Sequence, residues 1–234
     1  MDRWYPVARS EEAVPRHVVE CRVLGQDLAV WRDVAGGINA WANRCPHRGV
    51  RLSIGFNTGQ ELRCQYHGWR FATGSGQCRL IPSHPTQKPA STMHATLYGV
   101  AERYGFIWVR LAGADGGPPD LPGVARSPAG PATTLRSLFM RAPADAIASA
   151  LRRGYALDAV AEQPTPVVAH DSWTFRVGTG GRTDLVFLLQ PVSQQETIVH
   201  GLLLARIAPS DRLPVLRHHN AQLTALRNAI QSAG

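Results

Sequence analysis

Cys45-Pro46-His47-Arg48-Gly49 and Cys64-Gln65-Tyr66-His67-Gly68-Trp69 decide how this 234-residue chain is read. Each stretch offers one thiol and one imidazole, with one residue between them in the first and two in the second. Two Cys and two His suit a tetrahedral zinc site, but structural zinc loops usually pair Cys with Cys and His with His. One ligand of each kind per loop is what a two-iron cluster needs if each loop reaches both metals. Cys45, His47, Cys64 and His67 are therefore the candidate ligands, of a [2Fe–2S] cluster or else of zinc. Pro46 should stiffen the first loop, and Gly49 and Gly68 should let backbone N–H groups approach the sulfides. Trp69 and Tyr66 are expected to shield the cluster from water, the plainer reading being ordinary packing. One ring nitrogen of each His would bind metal, leaving the other to donate a hydrogen bond.

Outward from these loops, the residues around them read as short strands. Residues 17–24, 28–32 and 38–42 are apolar and β-branched, and are separated by Gly25-Gln26-Asp27 and the turn at 33–37. Residues 61–63 lead into the second loop, Gly74-Ser75-Gly76 turns into 78–81, and 97–103 and 106–111 form a closing hairpin. Turns at this close spacing mark an antiparallel β domain whose strand ends hold the ligand loops. His84 and His94 fall in a Pro-rich loop and are expected to be solvated.

Composition narrows the class. The apolar fraction supports a sizeable core, and no apolar run approaches the length of a membrane span. The opening Met1-Asp2-Arg3-Trp4 lacks a signal pattern, and Cys21 and Cys78 read as small buried side chains, so a reducing cytoplasm is expected. The net charge of +8 rests on arginine, Lys88 being the single lysine. No basic helix, zinc finger or aromatic-rich RNA motif accompanies it, so nucleic acid is not an expected partner. The charge reads mainly as compositional bias, with a basic docking face for an acidic electron donor as the lesser reading.

The Cys-Pro-His-Arg-Gly and Cys-Gln-Tyr-His-Gly-Trp runs, with Trp4-Tyr5-Pro6-Val7-Ala8 at the start, resemble the Rieske domain of the Rieske non-haem iron oxygenases. The resemblance implies a [2Fe–2S] cluster on Cys45, His47, Cys64 and His67, in an all-β domain over residues 1–111. Respiratory Rieske proteins add a disulfide between the two loops and a Ser and a Tyr that hydrogen-bond the sulfurs. Val50 and Tyr66 stand where the extra cysteines would be, and Trp69 takes the Ser position. Fewer such bonds destabilise the reduced cluster, which implies a low-potential centre.

Residues 112–131 are rich in Gly and Pro and read as a linker. Beyond it, strand-like runs at 133–141, 165–177, 183–191 and 198–207, a helical pattern at 145–160 and a terminal helix from about Ser210 are expected. On that helix Leu216, Leu223, Leu226 and Ile230 share a face. Gly178-Thr179-Gly180-Gly181 lacks the Lys and Ser/Thr of a phosphate loop and reads as a turn. Residues 132–234 resemble a reduced α+β, helix-grip-like version of the family's catalytic domain.

In that family a second iron is held by two His and one carboxylate, with both His on one helix in the order Asp-x-x-His and then a further His. The matching helix, approached by Arg141-Ala142-Pro143-Ala144 and spanning 142–160, holds Asp145 and Asp158 but no His. Arg152 and Arg153 in its middle oppose Fe²⁺. His170 with Asp171 and His200 are expected on strands, and His218 and His219 point about 100° apart on the last helix. A mononuclear Fe(II) is therefore not expected. The resemblance then implies an electron-transfer or accessory subunit of a multi-component oxygenase system. A flavin or ferredoxin reductase would be its donor, a catalytic oxygenase subunit its acceptor and His67 the exit point, with a ring-like trimer as the expected oligomer. The alternatives are a complete oxygenase with an unrecognised iron site and a non-catalytic structural subunit.

Overall fold

Short apolar runs between closely spaced turns can only satisfy their backbone groups by pairing with one another. In the computed structural model, which describes residues 3–113, 116–124, 132–157, 163–204 and 207–232, they do so. The chain divides into two units, Met1–Pro118 and Pro119–Gly234. The first holds β1 (Tyr5–Arg9), β2 (Val18–Val23), β3 (Gln26–Arg32), β4 (Ile38–Ala42), β5 (Phe56–Asn57), β6 (Glu61–Arg63), β7 (Arg70–Ala72), β8 (Cys78–Leu80), β9 (Gly99–Arg103) and β10 (Phe106–Arg110). They form three antiparallel sheets, ordered β1-β10-β9, β2-β3-β4 and β5-β6-β7-β8. Each strand expected from the sequence in this unit is present, within two residues at either end.

Trp31 and Trp41 meet edge to face at 5.2 Å. They sit in a core with Leu52, Leu62, Phe71 and Cys78 that also takes in Cys45 and Cys64. The candidate thiols are thus part of the packing that holds the strands. Asn57, a buried polar residue of this unit, is bonded through both ends of its amide. The Asn57 amide donates to the His17 and Arg32 carbonyls at 3.2 and 2.9 Å, and its oxygen accepts the Gly59 N–H at 2.8 Å. Arg32 grips Glu102 through two bonds of 2.9 Å, tying β3 to β9.

The second unit contains β11 (Thr133–Thr134), β12 (Leu138–Met140), α1 (Ala144–Leu151), β13 (Val167–Ala169), β14 (Thr174–Val177), β15 (Leu185–Ser193), β16 (Glu196–Leu203) and α2 (Arg212–Ser232). Its sheet runs β11-β16-β15-β14-β13, with β12 also paired to β16. β15 is buried from Leu185 to Val192, which explains its unbroken apolar run. Leu185, Phe187 and Leu189 pack with Ile147 and Leu151 of α1 and Leu223 of α2; Leu216, Leu226 and Ile230 add to the same cluster. An antiparallel sheet with a long helix against it is the helix-grip-like arrangement, so the fold class is an all-β domain followed by a small α+β one.

Four expectations for this unit change. Residues 133–141 form two short strands, with Ser137 in the break reaching the His200 ring at 2.8 Å. The helix expected to reach residue 160 ends at Leu151, because Gly154 takes a left-handed φ of +112° and Tyr155 pairs with Thr165. Asp158, the later carboxylate of that expected helix, lies outside the described residues. Residues 165–177 are a hairpin rather than one strand, its turn closed by the Asp171 carboxylate accepting the Trp173 and Thr174 N–H groups at 2.7 and 2.9 Å. His170 and Asp171 therefore sit in a turn. The strand expected over 198–207 is Glu196–Leu203, set two residues earlier by its pairing with β15.

Phe187 is fully buried and meets the Tyr155 ring edge-on at 4.9 Å. Phe187→Ala should cost about 3–5 kcal/mol, since the surrounding sheet and helices cannot collapse into the void. Urea unfolding followed by circular dichroism measures it, and an unchanged midpoint would contradict this account of the core.

Candidate metal centre

The two Cys/His loops close in the same way. In the loop after β4, the Cys45 N–H donates to the Val50 carbonyl at 2.8 Å and the Gly49 N–H to the Cys45 carbonyl at 2.8 Å. In the loop between β6 and β7, Cys64 N–H donates to the Trp69 carbonyl at 2.8 Å and Gly68 N–H to the Cys64 carbonyl at 3.1 Å. Gly49 and Gly68 have φ of +74° and +70°, a region that side-chain-bearing residues rarely occupy. Their N–H groups close the turns against cysteine carbonyls, and the backbone N–H groups directed at the Cys45 sulfur are those of His47 and Arg48.

Asn43, which the sequence reading passed over, braces the first loop. Its oxygen accepts the Ser53 N–H at 2.7 Å and its amide donates to the Ser53 hydroxyl at 2.9 Å, clamping both ends of the loop. A polar residue at the end of an apolar strand and just before a ligand was the available signal.

Within this frame the four candidate side chains come together. Cys45 and Cys64 are each 3% exposed and their thiols lie within hydrogen-bonding reach of one another. The His47 and His67 rings stand 4.8 Å apart, centroid to centroid. Trp69 stacks flat on His47 at 4.4 Å. Tyr66 lies 3.8 Å from the His67 ring yet is 57% exposed, so it flanks the site without covering it. His67 itself is exposed and His47 half-buried. The thiols sit on the dry floor of the site and the imidazoles on its rim.

Above the rings lies a cavity of about 400 Å³, walled by Trp69, Ile81, Ser83, His84 and Met93. His84 is exposed as expected, but it shares this cavity with both candidate histidines, a proximity that the 16 residues between His67 and His84 hid. His94 is also exposed, with Nδ1 3.0 Å from the Ala95 carbonyl.

Burial, reinforced by the Cys64 thiol, pushes the Cys45 thiol up to about 11, although the His47 and Arg48 N–H groups pull the other way. Burial first, then the neighbouring His67 and Arg48, lowers the pKa of His47. A buried Cys45 thiol that resists ionisation alone, beside the Cys64 thiol and two imidazoles, is part of a donor set that a bound metal cation would ionise and hold. Among the described residues no three His, Cys, Asp or Glu converge to hold a single ion. A two-iron cluster asks only two protein ligands of each metal, which this arrangement fits.

Three histidines of the second unit, His200, His218 and His219, are engaged elsewhere. His200, on β16 and 1% exposed, meets Ser137 Oγ at Nδ1 and Gln190 Oε1 at Nε2, both at 2.8 Å. His218 Nε2 is 3.0 Å from the Ala156 carbonyl. His219, 1% exposed, places Nδ1 3.1 Å from the Tyr155 hydroxyl. The Arg152 guanidinium lies over the Phe175 ring at 5.4 Å.

Residues 3–96 match the sequence profile described as the Rieske [2Fe–2S] domain. Oxygenase subunits are among the relatives, including the 3-chlorobenzoate-3,4-dioxygenase subunit of Comamonas testosteroni, 35% identical over 46% of this chain and 25% of that protein. Residues 3–96 are a Rieske [2Fe–2S] domain, of the kind that the Rieske non-haem iron oxygenases carry. The zinc reading of the two loops is thereby set aside in favour of a [2Fe–2S] domain. Oxidoreductase NdmD of Pseudomonas putida is 42% identical over 153 residues, 65% of this chain and 26% of that protein. Methylxanthine N1-demethylase NdmA of the same organism is 33% identical over 113 residues, 46% of this chain and 32% of that protein. The aligned part of this chain thus spans about a quarter to a third of these curated relatives' length. Among solved structures, Pseudomonas putida CBB5 NdmA superposes with a TM-score of 0.71 at 20% identity, covering 98% of this chain and 81% of that one. Apo dicamba monooxygenase gives 0.72 at 19% identity, covering 99% and 86%. At these identities the likeness shows the fold, which extends through both units.

Burial, with a smaller contribution from His218, lowers the His219 pKa from 6.5 to about 4. The unfolded chain therefore takes up a proton below about pH 6.5 that the folded chain refuses until about pH 4. The stability of the second unit should be unaffected by this group above pH 6.5, and should fall between pH 6.5 and 4 by on the order of 3 kcal/mol. Denaturation midpoints for the natural chain and His219→Gln across that range check it, since the variant should lose this part of the slope.

Proposed function

We propose that this chain is the electron-transferring member of a multi-component Rieske oxygenase system, with a [2Fe–2S] cluster held by Cys45, His47, Cys64 and His67. The observation that carries the reading is the vertical order of the site, with buried thiols below, imidazoles at the rim and His67 reaching solvent. A [2Fe–2S] cluster bound there supplies one-electron uptake and release. Cys45 and Cys64 give up their protons on loading, so metal binding and folding of the loops are linked. Trp69 fixes the His47 ring plane, and the second ring nitrogen of each His remains available to donate a hydrogen bond. The donor is a flavin or ferredoxin reductase and the acceptor an iron-bearing oxygenase subunit, with His67 as the contact point, in a ring-like trimer in the cytoplasm.

The comparisons lend weight in two directions. The 153 residues shared with the protein named oxidoreductase NdmD exceed the 118 residues of the first unit, so that likeness runs into the second. The 113 shared with the demethylase NdmA do not exceed it. This favours the electron-transfer reading. The second reading, a complete oxygenase, is favoured by the oxygenase fold extending over 98–99% of the chain.

Anaerobic purification should give two irons and two sulfides per chain and, after reduction, an EPR spectrum with an average g below that of an all-cysteine cluster. Redox titration should place the midpoint near the low end of the Rieske range, roughly −150 mV, because Val50 and Tyr66 stand where the disulfide cysteines of respiratory Rieske proteins would be and Trp69 takes the position of their sulfur-bonding Ser. Cys64→Ala should lose the cluster. Zinc in place of iron and sulfide would sink the assignment.

The purified chain, supplied with Fe²⁺, a reductase and a panel of aromatic and N-methyl substrates, should consume reductant without forming oxygenated product. Product that tracks a third iron and disappears in His200→Ala would favour the complete oxygenase.

A further inference from the structure

The chain's positive charge is not spread evenly. Between Val34 and Ala101, six arginines and Lys88 face a single carboxylate, Glu61, a local net charge of +6 out of +8 for the whole chain. Elsewhere 18 cationic residues are nearly balanced by 16 acidic ones. A bias toward arginine accounts for the residue type but not for where the net charge collects. It collects on the segment that carries both ligand loops.

Some of these cations are engaged. Arg51 pairs with Glu20 at 3.1 Å, Arg70 lies 3.9 Å from Glu61, and the Arg63 guanidinium covers the Phe56 ring at 4.5 Å. Arg44, Arg48 and Lys88 are exposed and pair with no carboxylate among the described residues. Arg48 adjoins His47 in the first loop. Lys88 belongs to the segment that supplies Ser83, His84 and Met93 to the cavity over the imidazoles. Tyr66 is 57% and Met93 36% exposed beside them. Arg, Met and aromatic side chains around a small apolar concavity are the mixture found in protein–protein contacts. A nucleic-acid site would instead present a basic stripe or a groove-entering element.

We propose that this face docks an acidic protein redox carrier, one that surrounds its own cofactor with carboxylates, over the cavity beside His47 and Trp69. This rests on the electron-transfer reading above and adds the charge character of the partner. Charge of one sign around the site raises the encounter rate with an oppositely charged protein and turns the partner's acidic face toward the imidazoles.

The test uses the full chain with its cluster loaded and two reductants, a reduced acidic [2Fe–2S] ferredoxin and reduced methyl viologen, a small cation. Stopped-flow reduction by the ferredoxin should slow at least tenfold as ionic strength rises from about 0.01 to 1 M, where the screening length shrinks from about 30 to 3 Å. Reduction by viologen should not slow. Lys88→Glu together with Arg44→Glu should lower the low-salt ferredoxin rate about tenfold without slowing viologen. Lys88→Glu alone, distant in sequence from the ligands, should slow the ferredoxin severalfold with an unchanged EPR spectrum. Rates indifferent to salt and to both variants would overturn the proposal. Reduction by viologen but not by ferredoxin at any ionic strength would remove the docking proposal and leave electron uptake standing. A cluster that neither reductant reduces would remove both. Tighter binding of a short DNA duplex than of the ferredoxin, with the duplex blocking reduction, would reassign the face and overturn the proposal.

Discussion

Everything in the first unit answers to one constraint: two thiols must be kept dry and close together while two imidazoles stay near water. The backbone meets it by closing each loop on its own cysteine, through the N–H to the carbonyl five residues on and the carbonyl to the glycine four residues on. This closure wraps each loop around its own cysteine. The cysteines can then serve as core residues, packed with Leu62 and Phe71, and the strands that support them are fixed by the same contacts. Asn43 adds the one side-chain clamp at the open end of the first loop.

Because the two loops share this closure, the one-residue difference in ligand spacing has a geometric consequence. Cys45 matches Cys64, Gly49 matches Gly68 and Val50 matches Trp69 in the bonding pattern, so His47 takes the place of Tyr66 and Arg48 the place of His67. The histidines therefore occupy different positions on similar frames. One lies flat under Trp69 and half-buried, the other beside Tyr66 and exposed. The site is asymmetric toward solvent, with His67 its outermost candidate ligand. The same mismatch leaves Arg48 at the rim, next to the imidazoles, where its charge contributes to the basic face.

What the sequence revealed was local. Strands bounded by Gly, Asn and Asp turns emerged near their expected ends, because turn chemistry acts over a few residues. The thiol and imidazole pairs could be recognised for the same reason. What it hid was long-range or depended on a single torsion. Nothing near residue 84 shows that His84 will share a cavity with His47 and His67. The α1 helix stops short because Gly154 adopts a left-handed turn that the apolar periodicity does not encode. The β13–β14 hairpin was signalled after all, since Asp171 is well suited to bonding the N–H groups two and three residues on, but a continuous apolar pattern masked it. The uneven charge was also present in the sequence, visible only when counted by segment rather than over the whole chain.

The second unit keeps an oxygenase-like sheet and helices, and the way its polar interior is bonded bears on what it can do. His200 is held at both ring nitrogens, by Ser137 and Gln190, across neighbouring strands. For it to ligate a metal, one of those bonds must open and leave a buried hydroxyl or amide short of a partner, at about 1–3 kcal/mol. His219 faces a similar exchange with Tyr155, and its low pKa reflects surroundings that do not tolerate positive charge. A mononuclear iron would bring more charge than a proton does. His200 and His219, two of the groups that a catalytic reading of this unit would recruit, are bonded as elements of the sheet and helix packing. That packing suits a unit whose contribution is its shape, and it fits a division of labour in which the cluster loops carry the redox chemistry.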